Sequence, residues 1–172
     1  MPPPGERPVA EAPATGITAF DEVLAAVPAA TFGEVRGDAV MRVDRAHYAA
    51  LIEALEDAGF DNFVDLCVVD YLRRREGRFE VALNLLSHRH RLRVRVLCAI
   101  PGDDPTIASI SGVYPGANFY EREGYDLFGV RFEGHPDLTR ILLPDDWVGH
   151  PLRKDQPVGA VPVQFKGANQ VE

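Results

Sequence analysis

Apolar and polar residues alternate most regularly between Phe63 and Ile100. In Leu92–Ile100 the residues Leu92, Val94, Val96, Cys98 and Ile100 alternate with Arg93 and Arg95, the period of two that marks a strand with one wet face. Phe79–Leu86 repeats the pattern, with Phe79, Val81, Leu83 and Leu85 set against Glu80, Ala82 and Asn84, and Phe63–Leu72 supplies a third strand. The joints Arg75-Glu76-Gly77 and Ser87-His88-Arg89-His90-Arg91 are short enough to make the three neighbours antiparallel. Upstream, Thr31–Arg36 and Ala39–Val43 read as a hairpin around Gly37-Asp38.

Elsewhere the period lengthens to that of a helix. Tyr48, Leu51, Ile52 and Leu55 form one stripe, capped by Asp44 and ended at Gly59. Phe20, Val23, Leu24 and Val27 form another, with Thr18 as N-cap, Asp21 three residues on, and Pro28 as stop. Pro101–Pro105 is a loop, and a helical turn is expected near Ile107–Val113. A third helix is predicted from Asn118, whose side chain with Glu121 would form a capping box. Tyr120, Gly124, Leu127 and Phe128 would be its apolar face, Arg122 and Asp126 an i, i+4 ion pair, and Gly129 its end.

These elements define an α+β fold: a mostly antiparallel sheet covered on one side by helices, with an irregular C-terminal extension. They divide the chain into a disordered leader (residues 1–16), an α/β domain (17–115), an ion-rich segment (116–155) and a tail or partner-wrapping arm (156–172). The proline-rich leader has no apolar stretch of the secretory kind. A chain of 172 residues with 46% hydrophobic and 26% charged residues suits one globular domain. No apolar run reaches the roughly 20 residues that span a bilayer. Cys67 and Cys98 stand in separate strands, as reduced core thiols do. Two thiols are too few for an iron–sulfur cluster, which takes about four.

Charge is unevenly spread. Between Arg73 and Arg95 eight arginines stand against Glu76 and Glu80, in a chain of net charge −8. Arg89, Arg91, Arg93 and Arg95 share strand parity and could form a basic stripe, either solvated or turned to an acidic neighbour. The acidic balance, and the want of aromatics among these arginines, speak against nucleic acid.

The ion-rich segment concentrates the chemistry. From Asn118 to Asp155 eight carboxylates meet five basic residues among aromatics and two Gly-His-Pro turns, Gly134-His135-Pro136 and Gly149-His150-Pro151. Composition alone allows two readings: a partner-docking surface, or the tightly turned, ion-paired end of a domain. Catalysis finds little support. Glu121 and Glu123, two apart, do not face one another on a helix. No HExxH, paired CxxC, P-loop or GxSxG is present. His88, His90, His135 and His150 do not fall in a zinc pattern.

The run Glu121-Arg122-Glu123-Gly124-Tyr125-Asp126-Leu127-Phe128-Gly129-Val130, then Phe132-Glu133-Gly134-His135-Pro136-Asp137-Leu138, then Gly149-His150-Pro151-Leu152-Arg153-Lys154-Asp155, closely resembles the signature of the 30-kDa subunit of proton-translocating NADH:quinone oxidoreductase (respiratory complex I). Tyr114 and Phe119 stand where that family usually has tryptophan, and Thr139 where a basic residue is common. The resemblance implies a structural member of the peripheral arm, on the cytoplasmic side of the bacterial cell membrane, without a membrane span or an active site of its own. It implies no cofactor on this chain, with FMN and iron–sulfur clusters in partner subunits. The implied partners are the 49-kDa, quinone-site subunit and a neighbouring iron–sulfur subunit. A related ferredoxin-linked or hydrogenase-type complex is the alternative. Glu121, Arg122, Glu123, Asp126, His135, Asp137, Arg140, His150, Arg153, Lys154 and Asp155 are the expected docking residues.

Overall fold

The computed structural model describes residues 17–75 and 77–156. The expected leader, Glu76 in the first strand joint and the tail beyond Gln156 lie outside these residues. Strands β1 (Thr31–Val35), β2 (Asp38–Val43), β3 (Asn62–Asp70), β4 (Phe79–Ser87) and β5 (Leu92–Ile100) form one sheet in the order β1-β2-β5-β4-β3. Every pairing is antiparallel except β2 with β5. That parallel contact closes the sheet: the chain leaves β2, crosses through helix α2 (Tyr48–Asp57) to β3 at the far edge, and returns by hairpins.

Period-two patterning fixes which face is buried. Across β4 and β5, Val81 opposes Cys98, Leu83 opposes Val96 and Leu85 opposes Val94, and all six are almost fully buried. Helix α1 (Thr18–Ala26) and α2 cover this face, with Phe20 stacked on Phe60 at 5.4 Å between ring centroids. Each fully buried side chain of this size contributes about 1.5–3 kcal/mol by leaving water. The opposite face keeps Arg42, Arg93 and Arg95 exposed.

Several local expectations change. Helix α1 starts at Thr18, which places Ile17 at the N-cap with no side-chain cap bond; a hydroxyl one position inside the helix is too late to serve as the cap. The first hairpin turns on Arg36 and Gly37, both at positive φ (56° and 88°), one residue before the expected pair. That is the left-handed pair that a two-residue turn demands. Asp44 does cap, accepting from the His47 amide at 3.0 Å, but it caps a 3-10 turn over Arg45–His47 that runs on into α2. The basic stripe shrinks: Arg89 and Arg91 lie in the β4–β5 turn, and only Arg93 and Arg95 stand on the strand. Cys98 is in the core, where burial pushes its thiol up to about 12. Cys67 is exposed on the outer face.

The helical turn expected near Ile107 is in part a strand. β6 (Thr106–Ala108) pairs in parallel with β7 (Arg131–Glu133). Between them runs helix α3 (Ala117–Phe128), which packs on β3. Gly124 permits that contact, since a Cβ there would stand 2.8 Å from Val68 Cγ2 and 3.1 Å from the Phe132 ring. Among the described residues, no helix is long and apolar enough to cross a membrane.

Candidate functional site: an ion-stitched C-terminal segment

Helix α3 begins one residue before its expected cap. Gly116 is the N-cap residue, and Asn118 lies inside the helix. Glu121 therefore closes no capping box. It is fully buried, accepting from Ser109 Oγ at 2.6 Å and from the Ile110 amide at 2.7 Å. Burial raises its carboxyl above the usual range against the pull of those two donors. The neighbouring His135 takes up its orientation from the backbone. Its Nδ1 accepts from the Asp137 amide at 3.0 Å, so Nε2 carries the proton and donates to the Asn118 carbonyl at 3.2 Å. Asp137 and Glu123 point to solvent.

The expected Arg122–Asp126 pair is also replaced. Arg122 reaches the Thr139 carbonyl (3.2 Å), the Thr139 hydroxyl (3.1 Å) and the Arg140 carbonyl (2.9 Å). Asp126 turns inward and becomes a hub. One of its oxygens accepts from Arg140 Nη1 at 2.6 Å; the other accepts three successive amides, those of Ile141, Leu142 and Leu143, at 3.1, 2.8 and 2.9 Å. Burial works to raise this carboxyl, but the three amides and the guanidinium outweigh it and leave it below the ordinary aspartate range. Arg140 extends the hub by donating Nη2 to the Trp147 and Gly149 carbonyls at 2.9 and 3.2 Å. A loop without secondary structure is thus held from residue 140 to 149 by one ion pair whose carboxylate is fully buried.

Past the loop, the chain is fastened to the end of α3. Gly129 adopts φ 71° and its amide bonds Tyr125 O, closing the helix in the left-handed manner that glycine favours. His150 Nδ1 donates to the Asp126 carbonyl at 2.9 Å, and burial lowers the basicity of its ring. Arg153 donates Nε to Phe128 O and Nη2 to Gly129 O. A cation is thereby placed where the helix dipole is negative.

A second carboxylate finishes the segment. Asp70, at the end of β3 and 2% exposed, accepts from the Leu72 amide (2.9 Å), from Arg78 Nε and Nη2 (3.2 and 3.0 Å) and from the Lys154 amide (2.9 Å). Arg78 also pairs with Asp155 at 2.8 Å, which holds the Asp155 carboxyl below its usual range. The Lys154 side chain is left to solvent.

Of the eleven residues expected to dock, Glu121, Arg122, Asp126, His135, Arg140, His150, Arg153 and Asp155 have partners within the chain, as the contacts above show. Sequence reasoning missed Asp70, although it shares strand parity with the buried Leu66 and Val68. It also passed over the exposed Leu142, Val148 and Leu152. Among the described residues, no three histidines, cysteines or carboxylates gather as a metal-holding group.

The fold recurs in two solved structures. One is the trypsin-resistant fragment (1–134) of Nqo5, 30% identical, with a TM-score of 0.63, covering 70% of this chain and 97% of that one. The other is a chain of the membrane-bound sulfane sulfur reductase (MBS), an archaeal respiratory membrane complex. It is 23% identical, with a TM-score of 0.74, over 92% of this chain and 99% of that one, and shows the shared fold alone. The profile described as "Respiratory-chain NADH dehydrogenase, 30 Kd subunit" matches residues 41–161. Among individual relatives, an NADH-quinone oxidoreductase subunit of Herpetosiphon aurantiacus is 44% identical over 86% of this chain and 88% of its own length. Its counterpart in Salinispora arenicola is 42% identical over 87% of this chain, which spans 66% of that relative. The chain belongs to the family of the 30-kDa subunit of respiratory-chain NADH dehydrogenase.

Proposed function

We propose that this chain is a structural, non-catalytic member of the peripheral arm of an NADH:quinone oxidoreductase. The complex passes electrons from NADH through FMN and iron–sulfur clusters in partner subunits to quinone and couples this to proton translocation. The arm lies on the cytoplasmic side of the bacterial membrane. The chain docks through residues 121–155 on the 49-kDa, quinone-site subunit and on an adjoining iron–sulfur subunit. The observation that carries the reading is the Asp126–Arg140 hub in a chain of this family: buried ions are spent on fixing one irregular loop, as a docking face needs and a mobile loop does not.

Arg140→Ala tests it. Removing one member of a buried pair costs roughly 3–5 kcal/mol, so blue-native gels of membranes should show much less intact complex, while the complex that does form keeps its affinity for NADH. Full assembly with lost turnover contradicts the scaffold role. A second reading is the same scaffold role in a related ferredoxin-linked or hydrogenase-type membrane complex. Flavin, iron and nickel content of the purified assembly separates the two.

A further inference from the structure

The loop that the hub holds shows an unusual surface. Leu142 is 62% exposed, Val148 93% and Leu152 51%. Each is anchored close to the Asp126–Arg140 pair. The Leu142 amide bonds Asp126, the carbonyls on either side of Val148 bond Arg140, and the Leu152 amide bonds Leu127 O at 3.1 Å. Aliphatic side chains on a backbone that is already ordered bring apolar area to a contact without the cost of ordering the loop.

We infer that Leu142, Val148 and Leu152 are the anchors of this chain in its assembly, seated in an apolar pocket of another protein subunit that is rimmed by lysine or arginine. The inference rests on the docking reading and deepens it: the ions shape the loop, and the aliphatic side chains make the contact. The basic rim follows from charge. Between residues 137 and 155 the exposed ions are Asp137, Asp145, Asp146, Lys154 and Asp155; Asp155 is neutralised by Arg78 and Arg140 is consumed within the loop, so three carboxylates face a single free cation. An acidic border suits a basic rim and opposes both an anionic lipid surface and a second copy of the same loop.

The test uses the full tagged chain in its native membranes, solubilised and affinity-purified, with the co-purified subunits quantified by mass spectrometry. Leu142→Asp with Val148→Asp changes exposed positions only, so circular dichroism and thermal unfolding of the purified chain should match wild type, while co-purified oxidoreductase subunits fall roughly tenfold or more. Val35→Asp, at an exposed apolar position on the distant β1, keeps full recovery. Asp145→Lys with Asp146→Lys lowers recovery several-fold, and p-benzoylphenylalanine in place of Val148 cross-links to an apolar partner peptide flanked by Lys or Arg. Undiminished recovery by the Leu142→Asp, Val148→Asp variant overturns the inference and leaves the docking reading standing. So does a cross-link to a second copy of this chain, or co-flotation of the wild-type chain with phosphatidylglycerol vesicles that this variant abolishes. If the wild-type chain recovers no oxidoreductase subunit, the docking reading fails and the inference with it.

Discussion

The sheet domain and the C-terminal segment are built on opposite principles. The first buries Val81, Leu83, Leu85, Val94, Val96 and Cys98 against two helices, and almost any apolar residue of similar volume would serve. The second is organised around three buried carboxylates, Glu121, Asp126 and Asp70, the last reached from the sheet, and four of its backbone amides, those of Ile141, Leu142, Leu143 and Lys154, bond to them. Apolar packing tolerates substitution by degrees. A buried ion does not, because deleting its partner leaves a charge without water or counter-ion. The segment is therefore ordered without being replaceable piece by piece, which suits a surface whose shape has to be constant.

The sharpest way to break this contrast is to match one deletion in each region. Asp126→Ala strands Arg140 and frees three amides, and should cost about 3–5 kcal/mol in urea unfolding, with new protease cuts between residues 139 and 152. Leu83→Ala should cost a similar 2–5 kcal/mol and leave that loop resistant. Equal loop cleavage in both variants would show that the segment has no stability of its own.

Acid gives the next largest effect. Asp126 and Asp70 are both held below their unfolded range, so their contribution is complete above the unfolded value near 3.8 and is lost as pH falls through the lower folded values. Hydrogen exchange below about pH 4 should therefore open residues 139–155 while β4 and β5 stay protected. Smaller again is Asp70→Asn, which keeps the shape but weakens the bonds from Arg78 and Lys154. It should cost about 1–3 kcal/mol and raise exchange at residues 150–155 first.

Glu121→Gln gives the smallest change and the opposite sign. The Glu121 carboxyl is raised by burial, so its ionisation weakens the fold as pH rises past 4.5. The variant should gain slightly in melting temperature at pH 7, and the gain should vanish near pH 4. A loss at pH 7 would mean that the charge itself is needed by Ser109 and Ile110.

How much of this was legible follows the same division. The β4 and β5 alternation and the stripe Tyr48, Leu51, Ile52, Leu55 announce themselves because burial there repeats with the local period. Gly129 was readable as a helix end because only its own backbone decides it. The roles of Glu121 and Asp126 were not, since a capping box and an i, i+4 pair are local guesses, and the donors that won come from Ser109 and from Arg140 to Leu143. β6 and β7 escaped notice because three-residue strands have no period, and their parallel pairing joins residues on either side of α3. Asp70 was hidden longest, as its partner Lys154 lies 84 residues away.

That distance has a consequence for synthesis. A nascent chain delivers the β3–β4 hairpin to the ribosome exit well before Lys154 and Asp155, and domains fold from the N-terminal side as they emerge. Throughout that interval Asp70 has Arg78 and the Leu72 amide but not its final donor, and Arg78 lacks Asp155. The last residues translated before the tail thus act as a latch on the earlier domain, and a prematurely ended chain leaves that corner unlatched for the cell's proteases to find.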